Sequence, residues 1–203
     1  LLFHFGPLDQ GWWPDGLYTA PTDEALLSDI ELTKELGFNT IRKHIKVEPH
    51  RWYYHCDRLG LVVWQDFINC GGDYNFFNIA LFPQIGFNRH RDGDYKFFAS
   101  ENQESRKEYY QMMNEIVSTL YNCVSVGVYV PFNEGWGQFD PDRVYDLMRS
   151  RDRTRLYDAT SGWFQTGESD VLSEHIYFKP VKLKNDGRPL VLSEFGGKTY
   201  KTE

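Results

Sequence analysis

Apolar runs with strand character alternate along this chain with segments of helical periodicity. A helix is predicted from a Thr22 cap to about Leu36, with Asp23 and Glu24 at its positive end and Gly37 as its stop. "FNTIRKHI" (38–45) then reads as a strand. A second helix starts near Pro49, carries "HRWYYHCDRL" and stops at Gly60, and "LVVWQDF" (61–67) follows as a short buried strand. Residues 68–99 are rich in Asn, Gly and Phe and read as a long, function-bearing loop. Met112, Met113, Ile116, Val117 and Leu120 share one helical face. "VSVGVYVPFNEG" is the next strand, Asp140-Pro141 opens a helix with Val144, Leu147 and Met148 on one side, and "RLYDATSGW", "DVLSEHIYF" and "PLVLSEFGG" complete the strands.

This alternation predicts an α/β fold with a parallel sheet. The positions of polar residues choose between an open doubly wound sheet and a (β/α)₈ TIM barrel. Arg42, Asp66, Glu134, Trp163, Tyr177 and Glu194 all fall at C-terminal strand ends, where barrels keep their chemistry. No glycine-rich first turn is present to favour the doubly wound alternative. A TIM barrel is therefore expected, truncated after about its seventh strand.

A length of 203 residues suits one domain. Aromatic residues reach 17%, which permits sugar stacking as well as packing, and a net charge of −7 argues against nucleic acid as a partner. No stretch is long and apolar enough for a membrane span. Cys56, Cys70 and Cys123 show no metal-type pairing, their odd number rules out a fully paired framework within the chain, and they do not settle the compartment. The histidines His4, His44, His50, His55, His90 and His175 lack ligand spacing, so neither metal nor cofactor is required. "GGKT" near the end suggests a phosphate loop, but Leu192 stands where that motif needs glycine.

"YVPFNEGWG" and "PLVLSEFGG" share one pattern: an apolar strand, a small polar residue, then a glutamate. Taken singly, each glutamate reads as a solvated loop charge. As a pair at strand ends, Glu134 and Glu194 can face each other across a barrel mouth. One carboxylic acid can then protonate a glycosidic oxygen while the other carboxylate attacks the anomeric carbon or activates water.

At this point "FNTIRKHIKVEPHRWYYHCDRLGLVVWQD", "PFNEGWGQ" and "LSEFGG" resemble the catalytic barrel of glycoside hydrolase family 2, over nearly the whole chain. The resemblance implies a retaining exo-β-glycosidase of β-galactosidase type, acting on β-linked oligosaccharides or glycosides. Alternatives are an endo-acting glycanase of a related barrel family and a non-catalytic carbohydrate-binding barrel. It further implies Glu134 as acid/base, Glu194 as nucleophile, Asn133 at the sugar 2-hydroxyl and Arg42 in support of Glu194. Tyr177 matches a tyrosine that hydrogen-bonds the nucleophile, with His175 one alternation away. Trp136 and Trp163 are candidates for sugar stacking and Asp66 for a sugar hydroxyl.

Two departures stand out: His44 follows Arg42 by two where the family often has R-x-x-H, and "WQDF" replaces an Asp-Glu pair of the large β-galactosidases. The family's N-terminal β-sandwich domains and eighth strand are missing, so other domains of a longer polypeptide are expected as partners. Three expectations concern the site itself. The charge of Glu194 should raise the Glu134 pKa. The two carboxyl groups should lie about 5–5.5 Å apart. Arg42 and Tyr177 should lie closer to Glu194 than to Glu134.

Overall fold

The computed structural model describes residues 2–87, 91–165, 167–183 and 186–196. His90 and positions 197–199 of the "GGKT" stretch lie outside them. The elements alternate as expected: β1 (Leu8–Asp9), α1 (Asp23–Glu35), β2 (Thr40–Lys43), α2 (His50–Leu59) and β3 (Val62–Asp66). A π-helical turn (Phe77–Leu81) and α3 (Phe82–Gln84) lie inside the long connection that reads as loop in the sequence. Then come α4 (Gln103–Leu120), β4 (Val126–Val130), β5 (Phe132–Asn133), α5 (Pro141–Arg151), β6 (Leu156–Tyr157), β7 (Thr160–Ser161), β8 (Leu172–Ile176) and β9 (Leu190–Phe195).

The helix ends follow their chemistry. Thr22 Oγ1 accepts from the Ala25 N–H at 3.1 Å, and Asn102 Oδ1 does the same for Glu104 and Ser105 at the start of α4. Gly60 closes α2 with a φ of 70°, in the left-handed region that glycine adopts without cost.

Every strand pair is parallel, in the orders β1-β2-β3-β4-β6, β5-β7 and β8-β9. Pro131, which has no N–H to give a ladder, separates β4 from β5, so these two form one barrel strand with a break. Residues 158–159 likewise separate β6 from β7, although the Asp158 N–H still donates to the Tyr129 carbonyl at 2.9 Å. Between the β6/β7 strand and β8, Gly162 N–H donates to Ser173 Oγ at 3.2 Å and Asp170 N–H to the Tyr157 carbonyl at 2.9 Å. The result is seven barrel strands in sequence order, a TIM barrel taken as far as the seventh strand.

Period-two alternation divides the side chains between two layers. Ile41, Val63 and Tyr129 face outward and pack with Ile30, Trp52, Met113, Val117 and Met148 of the helices. Trp64, Val128, Val130 and Val171 face inward as a smaller interior cluster. At the outer layer of β2 a charged network replaces apolar packing. Lys43 Nζ lies 2.5 Å from Asp9 and 2.9 Å from Glu48 Oε1, above the Trp52 ring. Lys46 Nζ also reaches Glu48 Oε1, at 2.9 Å, and donates to the Gly11 carbonyl. Both lysines and Glu48 are buried. No helix among the described residues is long and apolar enough to cross a membrane.

Candidate active site

Inward positions at one end of the barrel supply the site. Alternation places Arg42 of β2 and Asp66 of β3 in the interior, next to Trp64. Asn133 ends β5, and Glu134 follows in a left-handed conformation (φ 55°), its N–H donating to the Ser161 carbonyl at 3.0 Å. That φ is costly for a residue with a Cβ and tends to persist at functional sites. A bulge then sets the other side. β8 and β9 pair Glu174 with Leu192 but His175 with Glu194, so Ser193 is an extra residue. The inward face of β9 thereby passes from Val191 to Glu194, which strict alternation would have turned outward.

Arg42 is the hub. Its Nε and Nη2 grip Asp66 at 2.9 and 3.0 Å, Nη2 also donates to Asn133 Oδ1 at 2.8 Å, and Nη1 lies 3.0 Å from Glu194 Oε1. The last contact is an ion pair whose direction is off-line for a hydrogen bond. Burial opposes the guanidinium charge, but Asp66 and Glu194 outweigh it and raise the Arg42 pKa. Burial likewise opposes the Asp66 charge; Arg42 and His44, whose Nδ1 lies 2.6 Å from Asp66 Oδ2, hold that carboxyl below its ordinary value.

Tyr177 bridges the two glutamates. Its hydroxyl lies 2.7 Å from Glu134 Oε1 and 2.6 Å from Glu194 Oε2, although it has one proton to donate. Burial and then the two carboxylates push the phenol pKa far up, so the proton stays on the site. His175 Nδ1 lies 2.8 Å from Glu134 Oε1, and its Nε2 faces Ser161 Oγ at 3.2 Å and Arg42 Nη1 at 3.3 Å. Because a guanidinium only donates, Nε2 accepts from Arg42 and Nδ1 is left to donate to Glu134.

One oxygen of each glutamate and a ring nitrogen of His175 lie within 4.8 Å of one another. Among the described residues, this is the group whose donor atoms converge closely enough to hold an ion. His175 Nδ1 is joined to Glu134, and the Tyr177 hydroxyl joins Glu134 to Glu194, by the hydrogen bonds described above. Proton transfer and nucleophilic attack are the chemistry such a pair can perform.

One expectation about acidity needs correction. The Glu134 carboxyl is lowered, not raised: burial pushes it up, but hydrogen bonds from His175 and Tyr177 and the charge of Arg42 prevail. Arg42 sides with Glu194, and the Tyr177 hydroxyl is only marginally closer to Glu194, at 2.6 Å, than to Glu134, at 2.7 Å.

Asp66 is 1% exposed, and its two oxygens hold Arg42 and His44 in place. Trp163 is 7% exposed, packs with Ile79, Phe98 and Phe164, and meets His175 and Tyr177 edge-on. It buttresses these two rings and offers no open face to a sugar. Trp136 is partly exposed, its Nε1 donating to the Gly72 carbonyl at 2.9 Å.

His44, Ser161 and Gly162 belong to the site, although the sequence does not single them out for it. A Cβ at Gly162 would lie 2.4 Å from the His175 ring, so only glycine lets that ring approach. His44 carries a signal in its displaced spacing from Arg42; Ser161 carries none.

A family model described as "Glycosyl hydrolases family 2, TIM barrel domain" matches residues 20–200. A β-galactosidase of Photobacterium profundum is 25% identical over 190 residues, covering 86% of this chain and 17% of its own length. The chain thus spans about a sixth of that relative. Similar solved structures include a β-glycosidase from Bacteroides vulgatus (TM-score 0.58, 18% identity, 84% of this chain and 19% of that one). Another is a GH2 β-galacturonidase from Eisenbergiella tayi bound to galacturonate (TM-score 0.52, 18% identity, 76% of this chain and 25% of that one). At these identities the structures speak for the barrel fold alone. The family match extends over most of the sequence and over every residue of the polar cluster: this chain belongs to glycosyl hydrolase family 2, as its TIM barrel domain.

Proposed function

We propose that this barrel is the catalytic domain of a retaining exo-β-glycosidase that cleaves terminal β-linked sugars through a covalent glycosyl-enzyme intermediate. One observation carries the reading: Glu134 and Glu194 face each other within 4.8 Å, joined by a single tyrosine hydroxyl. That spacing suits direct attack on carbon and leaves little room for the extra water that inversion needs.

In the first step, a Glu194 oxygen bonds to the anomeric carbon as the glycosidic C–O bond breaks, and Glu134 gives its proton to the departing oxygen. In the second, Glu134 takes a proton from water, which attacks the same carbon and frees Glu194. Arg42 Nη1, 3.0 Å from Glu194 Oε1, orients that carboxylate for attack. Asn133 has its Oδ1 taken by Arg42, leaving its N–H groups for the sugar 2-hydroxyl. With the site empty, donors from His175 and Tyr177 favour ionised Glu134. Acid catalysis therefore requires the incoming sugar to displace at least one of them, or the pH to supply the proton. No cofactor is needed for either step. The β-galactosidase relative supports a β-linked glycoside as substrate. We further place this domain in a longer polypeptide whose other domains complete the site.

The test is the first-formed anomer of an aryl β-glycoside, followed by NMR with the full-length protein. A β-product supports retention; an α-product overturns it. Glu194→Gln is expected to abolish turnover of every substrate. Glu134→Gln should spare the first step for leaving groups that need no proton and slow the second.

A further inference from the structure

The first-formed product depends on the two glutamates, but the leaving group meets a different surface. We propose that Tyr74 and Trp136 form a rigid aromatic platform for the leaving group, selecting β-glycosides whose aglycone is aromatic or otherwise flat and apolar. This inference rests on the reading of Glu134 as the acid.

Trp136 stands two residues beyond Glu134. A general acid must reach the glycosidic oxygen, so surfaces on its side of the scissile bond meet the aglycone, while Arg42 and Glu194 meet the sugar. The indole is fixed from several directions. Its Nε1 donates to the Gly72 carbonyl at 2.9 Å, and its own carbonyl accepts from Asn69 Nδ2 at 2.8 Å. Gly71 lies so close that a Cβ there would come within 2.5 Å of Nε1. Despite this, the ring stays partly open to solvent.

Tyr74 extends the platform. It is 45% exposed, and its ring lies 5.4 Å from that of Trp136 at 58°. The segment bearing it is anchored to the site: Ile79 of the π-helical turn packs with Phe98, Trp163 and Phe164, and Trp136 and Tyr177 pack against the same cluster. π-helical turns are rare and concentrate at functional sites. In the following residues Phe76, Phe77 and Phe82 are also exposed, Phe77 meeting both of the others. An apolar patch of this kind, tied to a polar cleft and held in place, is a binding surface more often than chance exposure. Rigid aromatic faces bind flat apolar groups at small entropic cost.

The experiment uses the full-length protein, the sugar it hydrolyses, and paired aryl and alkyl β-glycosides whose leaving groups have similar acidity. Aglycone contacts act only until the aglycone departs, so they appear in kcat/KM and not in the rate of the second step. The wild type is expected to prefer the aryl member. Tyr74→Ala should lower kcat/KM for it roughly ten-fold, the scale of one lost aromatic contact, and leave the alkyl member and the hydrolysis of the intermediate unchanged. Tyr74→Phe should retain the preference. Equal loss for both substrates, or no loss for either, overturns the platform while leaving retaining hydrolysis standing. Absence of hydrolysis by the wild type, or an inverted product, overturns the catalytic reading, and this inference with it.

Discussion

A single phenolic proton lies between two carboxylates, and a histidine leans on one of them; the acidity of Glu134 is set by these neighbours. Burial raises its pKa, and His175 supplies the largest contribution that lowers it. Replacing His175 with Phe should therefore raise the Glu134 pKa. An acid catalyst loses its proton as pH rises past its pKa, so the basic limb of the kcat/KM profile should move to higher pH. An unmoved limb in His175→Phe would refute the assignment. Stability has its own sign. Glu134 and Asp66 are both held below their ordinary values of 4.5 and 3.8. Their contribution is present above those values and is lost as pH falls through the lowered ones. The glutamates themselves are legible in the sequence, because an apolar strand ending on a carboxylate twice over is a rare pattern. Their acidity is not, since it depends on which donors other strands bring to them. Asp66 shows the same limit: a strand-end aspartate reads as a ligand for a hydroxyl, and nothing in its own strand shows that Arg42 and His44 lie on its oxygens.

Helices are the legible elements. Thr22, Gly37, Pro49 and Gly60 mark ends by local chemistry, and the α4 face follows from periodicity alone. Strands read too long, because apolar character continues past the last ladder bond: 38–45 contains a strand of only Thr40–Lys43. The two residues of β1 carry no pattern of their own, and the sequence does not locate them. The bulge at Ser193 is equally silent, being a matter of register between β8 and β9. At this scale the buried charges beside β2 make the sharpest forecast. Glu48 Oε1 faces both Lys43 and Lys46, so Glu48→Gln leaves two buried ammonium groups with Asp9 as their remaining carboxylate. Breaking such a network costs about 3–5 kcal/mol, measurable as a drop in urea midpoint. A change below about 1 kcal/mol, the worth of an exposed pair, would show that water reaches the lysines.

Across the whole molecule, β1 pairs only with β2, and β9 only with β8, among the described residues. Among the described residues each has one edge without a strand partner, a template for pairing with other chains. The chain spans less than a fifth of the length of these relatives. Residues 1–203 prepared alone are expected to associate on size-exclusion chromatography and to turn over no aryl β-glycoside. Full turnover by a monomeric preparation would refute that. The barrel class is readable because strand-end chemistry and βα alternation agree; the seam between β9 and β1 is not, since it involves partners outside the pattern.

The left-handed backbone of Glu134 has an evolutionary reading. Glycine adopts that conformation freely, whereas a residue with a Cβ pays about 1 kcal/mol or more to hold it. Selection for stability alone would therefore drift this position toward glycine and discard the carboxylate. A carboxylate at this position is therefore held against the preference of its own backbone.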